Sequence, residues 1–103
     1  MPPMATLLDI QQLLATKREA ILALAARHGA RNVRIFGSVA RGEPTLQSDV
    51  DLLVEMEKGR SLLDLVAFGQ DVEELLGCPV DVITDGGVSP YLRERIYAEA
   101  RPL

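Results

Sequence analysis

The chain has 103 residues, a length that suits one compact domain and is too short for two. Hydrophobic residues make up 48% and charged residues 25% of it, so a packed core is expected and disorder or a fibrous architecture is not. Its 11 basic and 15 acidic residues give a formal net charge of -4, the wrong sign for a protein whose affinity rests on nucleic-acid phosphates. DNA and RNA are therefore not expected as direct substrates.

Cysteine usage and the N-terminal sequence indicate a cytoplasmic protein. The single cysteine, Cys78, has no partner for an internal disulfide or for a zinc site built on thiolates. The first residues lack the basic start and long apolar stretch of a signal peptide, and no apolar run approaches the length needed to span a bilayer. We expect a reducing, cytoplasmic setting and no membrane partner.

Capping signals and apolar spacing predict the first two main helices. A Ser or Thr followed three residues later by Asp or Glu satisfies backbone N–H groups at a helix start, and this pattern begins at Thr6, Thr16 and Ser61. The apolar spacing predicts a helix over 7–28, either continuous or broken near Thr16, and a second helix over 61–76.

The C-terminal residues contain one further helix signal. Ser89 followed by Pro90 suits an N-cap and a first helical position, so a short helix is expected over 91–100. Residues 101–103 are expected to fray, as chain ends commonly do.

Three short runs rich in Val, Ile or Leu lie between the helices and are bounded by Gly, Pro, Asp or Ser, as β-strands are. They cover residues 32–36, 49–55 and 79–84. A tight loop with a short helix is expected between the first two runs. Helices that alternate with strands in this way predict an α/β (α+β) fold, with helices packed on one three-stranded sheet.

Gly37 and Ser38 are the first candidates for chemistry, because they lie where the strand over 32–36 runs into a short helix. Backbone N–H groups and the Ser38 hydroxyl would point at one spot there, and such an end attracts phosphate. Gly37 permits close backbone approach and unusual dihedral angles. The same dipeptide is common in plain turns, so by itself it does not establish a phosphate site.

Asp49 and Asp51 are the second pair of candidates. Residues two apart on a strand project from the same face, so the two carboxylates lie side by side and repel each other. The apolar residues 52–54 lead this strand into the core, where two ionised acids at its mouth are costly without a cation. Hard oxygen ligands suit Mg²⁺. The alternative is that Asp49 is a loop or cap residue and Asp51 makes a surface ion pair.

A third acid, Asp81, interrupts the apolar strand predicted over 79–84 and needs a partner. If that strand lies beside 49–55, Asp81 completes a carboxylate triad and serves both as a metal ligand and as a base toward a hydroxyl. The alternative is an edge-strand carboxylate that faces solvent. Asp85 is a weaker candidate, because the Asp-Gly-Gly run that it begins is typical of a plain turn.

Taken together, these residues resemble a known family. Gly-Ser, ten intervening residues and then Asp-x-Asp resembles the signature of the polymerase-β-type nucleotidyltransferase superfamily. More narrowly, FGSVARGE followed by SDVDLLVE, in a chain of this size, resembles the minimal nucleotidyltransferases (MNT), antitoxins that are paired with HEPN-domain toxins. The resemblance is close over 33–54, and the order of elements extends it to a single minimal nucleotidyltransferase domain over 1–103.

The resemblance implies a nucleotidyltransferase fold with a short mixed sheet, and it implies roles for the candidate residues. Gly37 and Ser38 would hold the triphosphate of ATP. Asp49 and Asp51 would bind two Mg²⁺ ions, and Asp81 would match the third carboxylate of the family. In such a site the α-phosphate is attacked and pyrophosphate leaves.

Arg41 also matches the family motif. An Arg on the helix after Gly-Ser can help to neutralise the triphosphate. The alternative is that it pairs with Glu43 or Asp49 and fixes the loop.

The resemblance also implies a function. The chain ends almost as soon as the catalytic elements are complete, so the acceptor is expected on a partner protein. In the family, AMP passes from ATP to a tyrosine of the HEPN toxin, which predicts a Mg²⁺-dependent adenylyltransferase that acts as an antitoxin. One alternative is an antitoxin that inhibits its partner by binding alone, and another is a small-molecule transferase of the aminoglycoside type.

Overall fold

The computed structural model describes residues 7–42 and 50–103. Its helices are α1 Leu7–Arg27, α2 Gly37–Ala40, α3 Leu62–Leu76 and α4 Arg93–Glu99, and its strands are β1 Ala30–Phe36, β2 Val50–Met56, β3 Val80–Thr84 and β4 Arg101–Pro102. A 3₁₀ turn, Asp85–Gly87, links β3 to the segment before α4. None of the helices within these ranges combines the length and the apolar character needed to cross a membrane.

The sequence signals locate two of the helices well. Helix α1 continues through Thr16, so the capping pattern there does not start a second helix, and the pattern at Thr6 lies outside the described residues. Helix α3 begins at the predicted capping box: Ser61 Oγ accepts from the backbone N–H of Leu63 at 3.2 Å, and Asp64 Oδ2 accepts from that of Ser61 at 3.1 Å.

The start of the last helix differs from the prediction. Ser89 caps a separate turn, in which its Oγ accepts from the Tyr91 N–H at 3.3 Å and its carbonyl accepts from the Leu92 N–H at 2.9 Å. Helix α4 begins only at Arg93. A Ser-Pro pair suits the start of a turn as well as that of a helix, and here it starts a turn that precedes the helix in the chain.

The sheet is mixed and has the strand order β3-β2-β1-β4. Strand β1 is antiparallel to both β2 and β4, whereas β2 and β3 are parallel. The predicted count of three strands and the predicted frayed tail are therefore wrong. Residues 101–102 pair with Arg34 and Ile35, and the Leu103 N–H donates to the Val33 carbonyl at 3.1 Å. The reason is that β1 leaves an open edge whose polar backbone groups the chain end satisfies.

The two faces of the sheet carry different helices. Val50, Leu52 and Val54 point into the main core, which α1 and α3 cover. Leu53 points to the opposite face, where it packs with Ile96 of α4 in a smaller apolar cluster. Since side chains alternate along a strand, Asp51 lies on the same face as Leu53. The candidate carboxylate therefore shares its face with α4.

Candidate active site

The turn after β1 places Gly37 directly against Asp51. Gly37 has φ +81°, in the left-handed region that residues with a Cβ rarely adopt. An ideal Cβ at this position would collide with the Asp51 carboxylate. Position 37 therefore requires glycine for two independent reasons, and the missing side chain lets the backbone of the turn approach the carboxylate.

Helix α2 is one turn long and is fixed by contacts with the main core and with α1. Val39 is buried in the main core, and its carbonyl accepts a hydrogen bond from Gln11 Nε2 of α1 at 3.2 Å. The N-cap residue, Phe36, offers no side-chain acceptor to the first N–H groups of α2. The half-buried Ser38 therefore lies at a helix start of the kind that suits a phosphate oxygen, and its hydroxyl is of a type that can donate a hydrogen bond to such an oxygen.

The parallel pairing of β2 and β3 brings two candidate acids together. Asp51 and Asp81 are direct partners in the register. Neighbouring strands lie about 4.8 Å apart, and paired residues of parallel strands point to the same face. Asp81 shares that face with Ile83, which packs against the α4 cluster. The condition set by the sequence, that the third strand lies beside the second, is confirmed.

Asp85 has a different environment. Both of its carboxylate oxygens accept from Arg34 Nη2, at 3.0 and 3.1 Å, and the Tyr97 hydroxyl lies 3.2 Å from Oδ1. Asp85 follows the end of β3, four residues beyond Asp81. Its contacts join α4 to β1 at the C-terminal end of β3, which is the end away from Gly37.

The donor set fits a hard cation. Two carboxylates on one face of adjacent strands, one half-buried and one exposed, are the ligands that Mg²⁺ takes from proteins. Asp49, predicted as a ligand, lies outside the described residues. Within residues 7–42 and 50–103, no three His, Cys, Asp or Glu residues are grouped closely enough to hold a metal by themselves.

Arg41 is bound by a carboxylate from the far end of the chain. Its Nη1 donates to both oxygens of Glu99, each at 3.0 Å. Burial raises the pKa of Glu99, but hydrogen bonds and charges from Arg41 and Arg95 more than offset this, so the net pKa of Glu99 lies below its ordinary value. Glu43 and Asp49, the partners considered from sequence, lie outside the described residues.

Sequence reasoning missed two residues of this region, Gln11 and Glu99. Gln11 contacts Val39 of α2 and Glu99 contacts Arg41, the residue after α2, from elements that are 28 and 58 residues away in the chain. The polar side chain of Gln11 lies on a largely apolar helix, which was a weak signal. Glu99 lies in a charged stretch in which nothing distinguishes it from Glu94.

A family model described as "Nucleotidyltransferase domain" matches residues 17–103, a range that includes Gly37, Ser38 and all the candidate acids. The protein adenylyltransferase MntA of Thermococcus cleftensis is 39% identical over 100 residues, covering 91% of this chain and 97% of that protein.

Solved structures agree with this family. A structure ascribed to a minimal nucleotidyltransferase is 48% identical, covers 99% of this chain and 100% of its own, and superposes with a TM-score of 0.83. A toxin-antitoxin crystal structure with AMP-PNP shares the fold, at 19% identity and a TM-score of 0.70, over 82% of this chain and 69% of its own. The chain thus belongs to the nucleotidyltransferase-domain family and is a nucleotidyltransferase.

Proposed function

We propose that this chain is a Mg²⁺-dependent protein adenylyltransferase that transfers AMP from ATP to a tyrosine of a HEPN-domain toxin and so acts as an antitoxin. The observation that carries the proposal is the pairing of Asp51 with Asp81 across β2 and β3, beside a glycine turn that packs against Asp51. The protein adenylyltransferase named above, which this chain matches over nearly its whole length, supports the same activity.

Each site residue has a role in this reaction. Gly37 and Ser38 hold the triphosphate at the start of α2, which places the leaving pyrophosphate beside the turn. Asp49, Asp51 and Asp81 hold Mg²⁺. When bound, Mg²⁺ supplies the Lewis acid that neutralises the triphosphate and stabilises the charge that develops on the leaving group.

The transfer is an in-line displacement at phosphorus. The acceptor oxygen attacks the α-phosphorus of ATP, the bond from that phosphorus to the oxygen that bridges to the β-phosphate breaks, and pyrophosphate leaves with the electron pair. Asp81 accepts the proton of the acceptor hydroxyl, because it is the more exposed of the two paired acids and so the more accessible to an incoming side chain.

The kind of acceptor follows from size and charge. The helices and strands named above account for most of residues 7–42 and 50–103, and within those ranges no second domain is formed that would hold a small acceptor. The formal charge of -4 disfavours a nucleic-acid acceptor. A hydroxyl presented by a partner protein fits both properties.

The test is intact-mass spectrometry of a HEPN-domain toxin that forms a complex with this chain, after incubation with the chain, ATP and Mg²⁺. We expect a mass gain of one or more AMP units. The variants Asp51→Asn and Asp81→Asn should lower the rate of transfer by about 100-fold or more, because each removes a metal-binding charge. Asp85→Asn is the matched control, since it removes one carboxylate from the same segment, and it should still transfer AMP.

Three other results would contradict the proposal in distinct ways. A stable complex without any gain of mass would support an antitoxin that acts by binding. Neutralisation that is undiminished in the Asp49→Ala, Asp51→Ala double variant would make catalysis dispensable. Transfer to an added aminoglycoside, with no complex formed, would favour the small-molecule transferase.

A further inference from the structure

Glu99 connects the end of α4, through Arg41, to the turn at Gly37 and Ser38 where the nucleotide is proposed to bind. We propose that Glu99 is a positioning residue that holds the Arg41 guanidinium in place for the triphosphate. This inference rests on the nucleotide site proposed at Gly37 and Ser38. It concerns a residue whose importance the sequence motif does not indicate.

The position of Arg41 in the chain favours a contact with a phosphate bound at the start of α2. It follows α2 directly, and its N–H donates to the Gly37 carbonyl at 3.1 Å. Four residues of helix span about 6 Å, so a side chain as long as that of Arg41 can reach a phosphate bound at the start of α2. Its side chain is 37% exposed, and a long side chain at such a position would lose rotamer entropy on binding a ligand if nothing in the free protein held it.

Glu99 can help to order the Arg41 side chain because its own backbone is fixed on both sides. Before it, Ile96 is buried against Leu53 in the smaller apolar cluster, and the Ala100 N–H donates to the Ile96 carbonyl at 2.8 Å. After it, residues 101–102 pair with β1 just ahead of the turn at Gly37. Glu99 is therefore held between a packed helix and a paired strand, next to the element that it contacts.

The carboxylate itself is also constrained. Its side chain is only 18% exposed, and Arg95 Nε, one helical turn away, lies 3.4 Å from Oε2. Both oxygens accept from Nη1 of Arg41. A guanidinium is a planar fork with five N–H donors, so an anchor at one nitrogen orients the whole plane. A triphosphate would bind the donors that face the turn.

The opposite effect also has a physical basis, since a carboxylate partly neutralises the charge that attracts phosphate. Glu99 would then compete with the nucleotide, and its removal would tighten binding. The sign of the change therefore distinguishes a positioning residue from a competitor.

The experiment measures the Kd of Mg-ATP by calorimetry in a set of variants of the full chain. Glu99→Gln keeps the size of the side chain and removes its charge, and it should weaken binding by about 2- to 10-fold, the cost of ordering one flexible side chain. Glu94→Gln, which makes the same charge change at an exposed position in the first turn of α4, should leave the Kd unchanged. Glu99→Asp keeps the charge and should restore part of the loss.

A double variant separates positioning from general damage to the fold. If Glu99 acts through Arg41, the Arg41→Ala, Glu99→Gln variant binds Mg-ATP no more weakly than Arg41→Ala alone. A merely structural role would add the two losses. Side-chain NMR of Arg41 without nucleotide gives an independent readout, because Glu99→Gln should increase the mobility of the guanidinium while Glu94→Gln should not.

The outcomes also separate this inference from the proposed function. Wild-type chain that binds Mg-ATP, together with a Glu99→Gln variant that binds it equally well or more tightly, overturns the positioning role and leaves the proposed function intact. Wild-type chain that binds no Mg-ATP overturns both.

Discussion

Replacement of Gly37 by alanine tests the geometry at the centre of the site. The substitution adds a single methyl group at a position where φ is +81° and where that methyl group would collide with the Asp51 carboxylate. The left-handed conformation costs a residue with a Cβ about 1 to 2 kcal/mol. Forcing an extra methyl group into an occupied site adds about 1 to 3 kcal/mol.

The structure places the second cost near the low end of its range. An ideal Cβ on Gly37 would lie 3.2 Å from Asp51 Cγ and 3.5 Å from Asp51 Cβ, so only the carboxylate group has to move. We therefore expect a collision cost of about 1 kcal/mol. The displaced carboxylate should no longer occupy its place opposite Asp81, and AMP transfer should be lost.

Gly77→Ala is the matched control for this variant. Gly77 has φ +74°, and no described atom lies within 4 Å of its ideal Cβ, so the substitution there has only the backbone cost. For a domain of this size 1 kcal/mol corresponds to about 4 to 8 °C in Tm, and the Tm of Gly37→Ala should fall below that of Gly77→Ala by about this amount. Thermal unfolding followed by circular dichroism measures both.

The collision can also be removed by a second substitution. In an Asp51→Ala background, Gly37→Ala should cost no more than Gly77→Ala does, because the carboxylate that it would collide with is gone and the remaining Cβ of residue 51, at 3.5 Å, is in ordinary van der Waals contact. Equal Tm losses for Gly37→Ala and Gly77→Ala in the wild-type background would refute the close approach. A Gly37→Ala chain that still transfers AMP at the wild-type rate would refute its importance for the site.

Three further predictions test other contacts. Ser61→Ala removes the capping box of α3 and should lower the free energy of unfolding by about 0.5 to 2 kcal/mol in urea titrations; an unchanged midpoint would contradict the cap. Asp85→Asn should lower it by about 1 to 3 kcal/mol, because Arg34 is largely buried and loses the nearer of its charged partners, with the Glu55 carboxylate left at 3.9 Å. The exposed Asp81 can become Asn within about 0.5 kcal/mol, and the reverse order would contradict the assigned contacts. The pKa of Glu99 is lowered in the folded protein, so the stabilisation by its charge is present at neutral pH and is lost as the pH falls below the ordinary value of about 4.3 and through the folded pKa. The difference in unfolding free energy between wild type and Glu99→Gln should therefore disappear in acid. A difference that does not change with pH would exclude this charge contribution.

The elements that were predicted well depend on interactions between near neighbours. The capping box at Ser61 requires only residues within one helical turn, and the apolar runs that became β1, β2 and β3 are short and bounded by turn residues. The predicted start of α4 was wrong because the local signal at Ser89 permits two structures, a helix start and a turn. The tertiary contacts of α4 are not visible in that signal, since Ile96 packs against Leu53 of β2 in the smaller apolar cluster.

The features of the site also divide into those that the local sequence determines and those that depend on tertiary structure. The alternation that puts Asp51 on one face of its strand, and the left-handed backbone that favours glycine at the turn after β1, are local properties of the chain, whereas the contact between Gly37 and Asp51 is not. The identity of the acid opposite Asp51 is not, because it depends on the register of β3 against β2. A shift of that register would present a different residue to Asp51.

The sequence by itself determined the nucleotidyltransferase motif, the mixed α/β class and the residues proposed for phosphate and metal. Only the tertiary structure decided that Asp81 lies opposite Asp51, that Asp85 pairs with Arg34, and that the chain end supplies a fourth strand. The physical reason is the range of the interactions. Periodicity, caps and turns are determined by a few adjacent residues, whereas strand register and long-range ion pairs depend on how the whole chain packs.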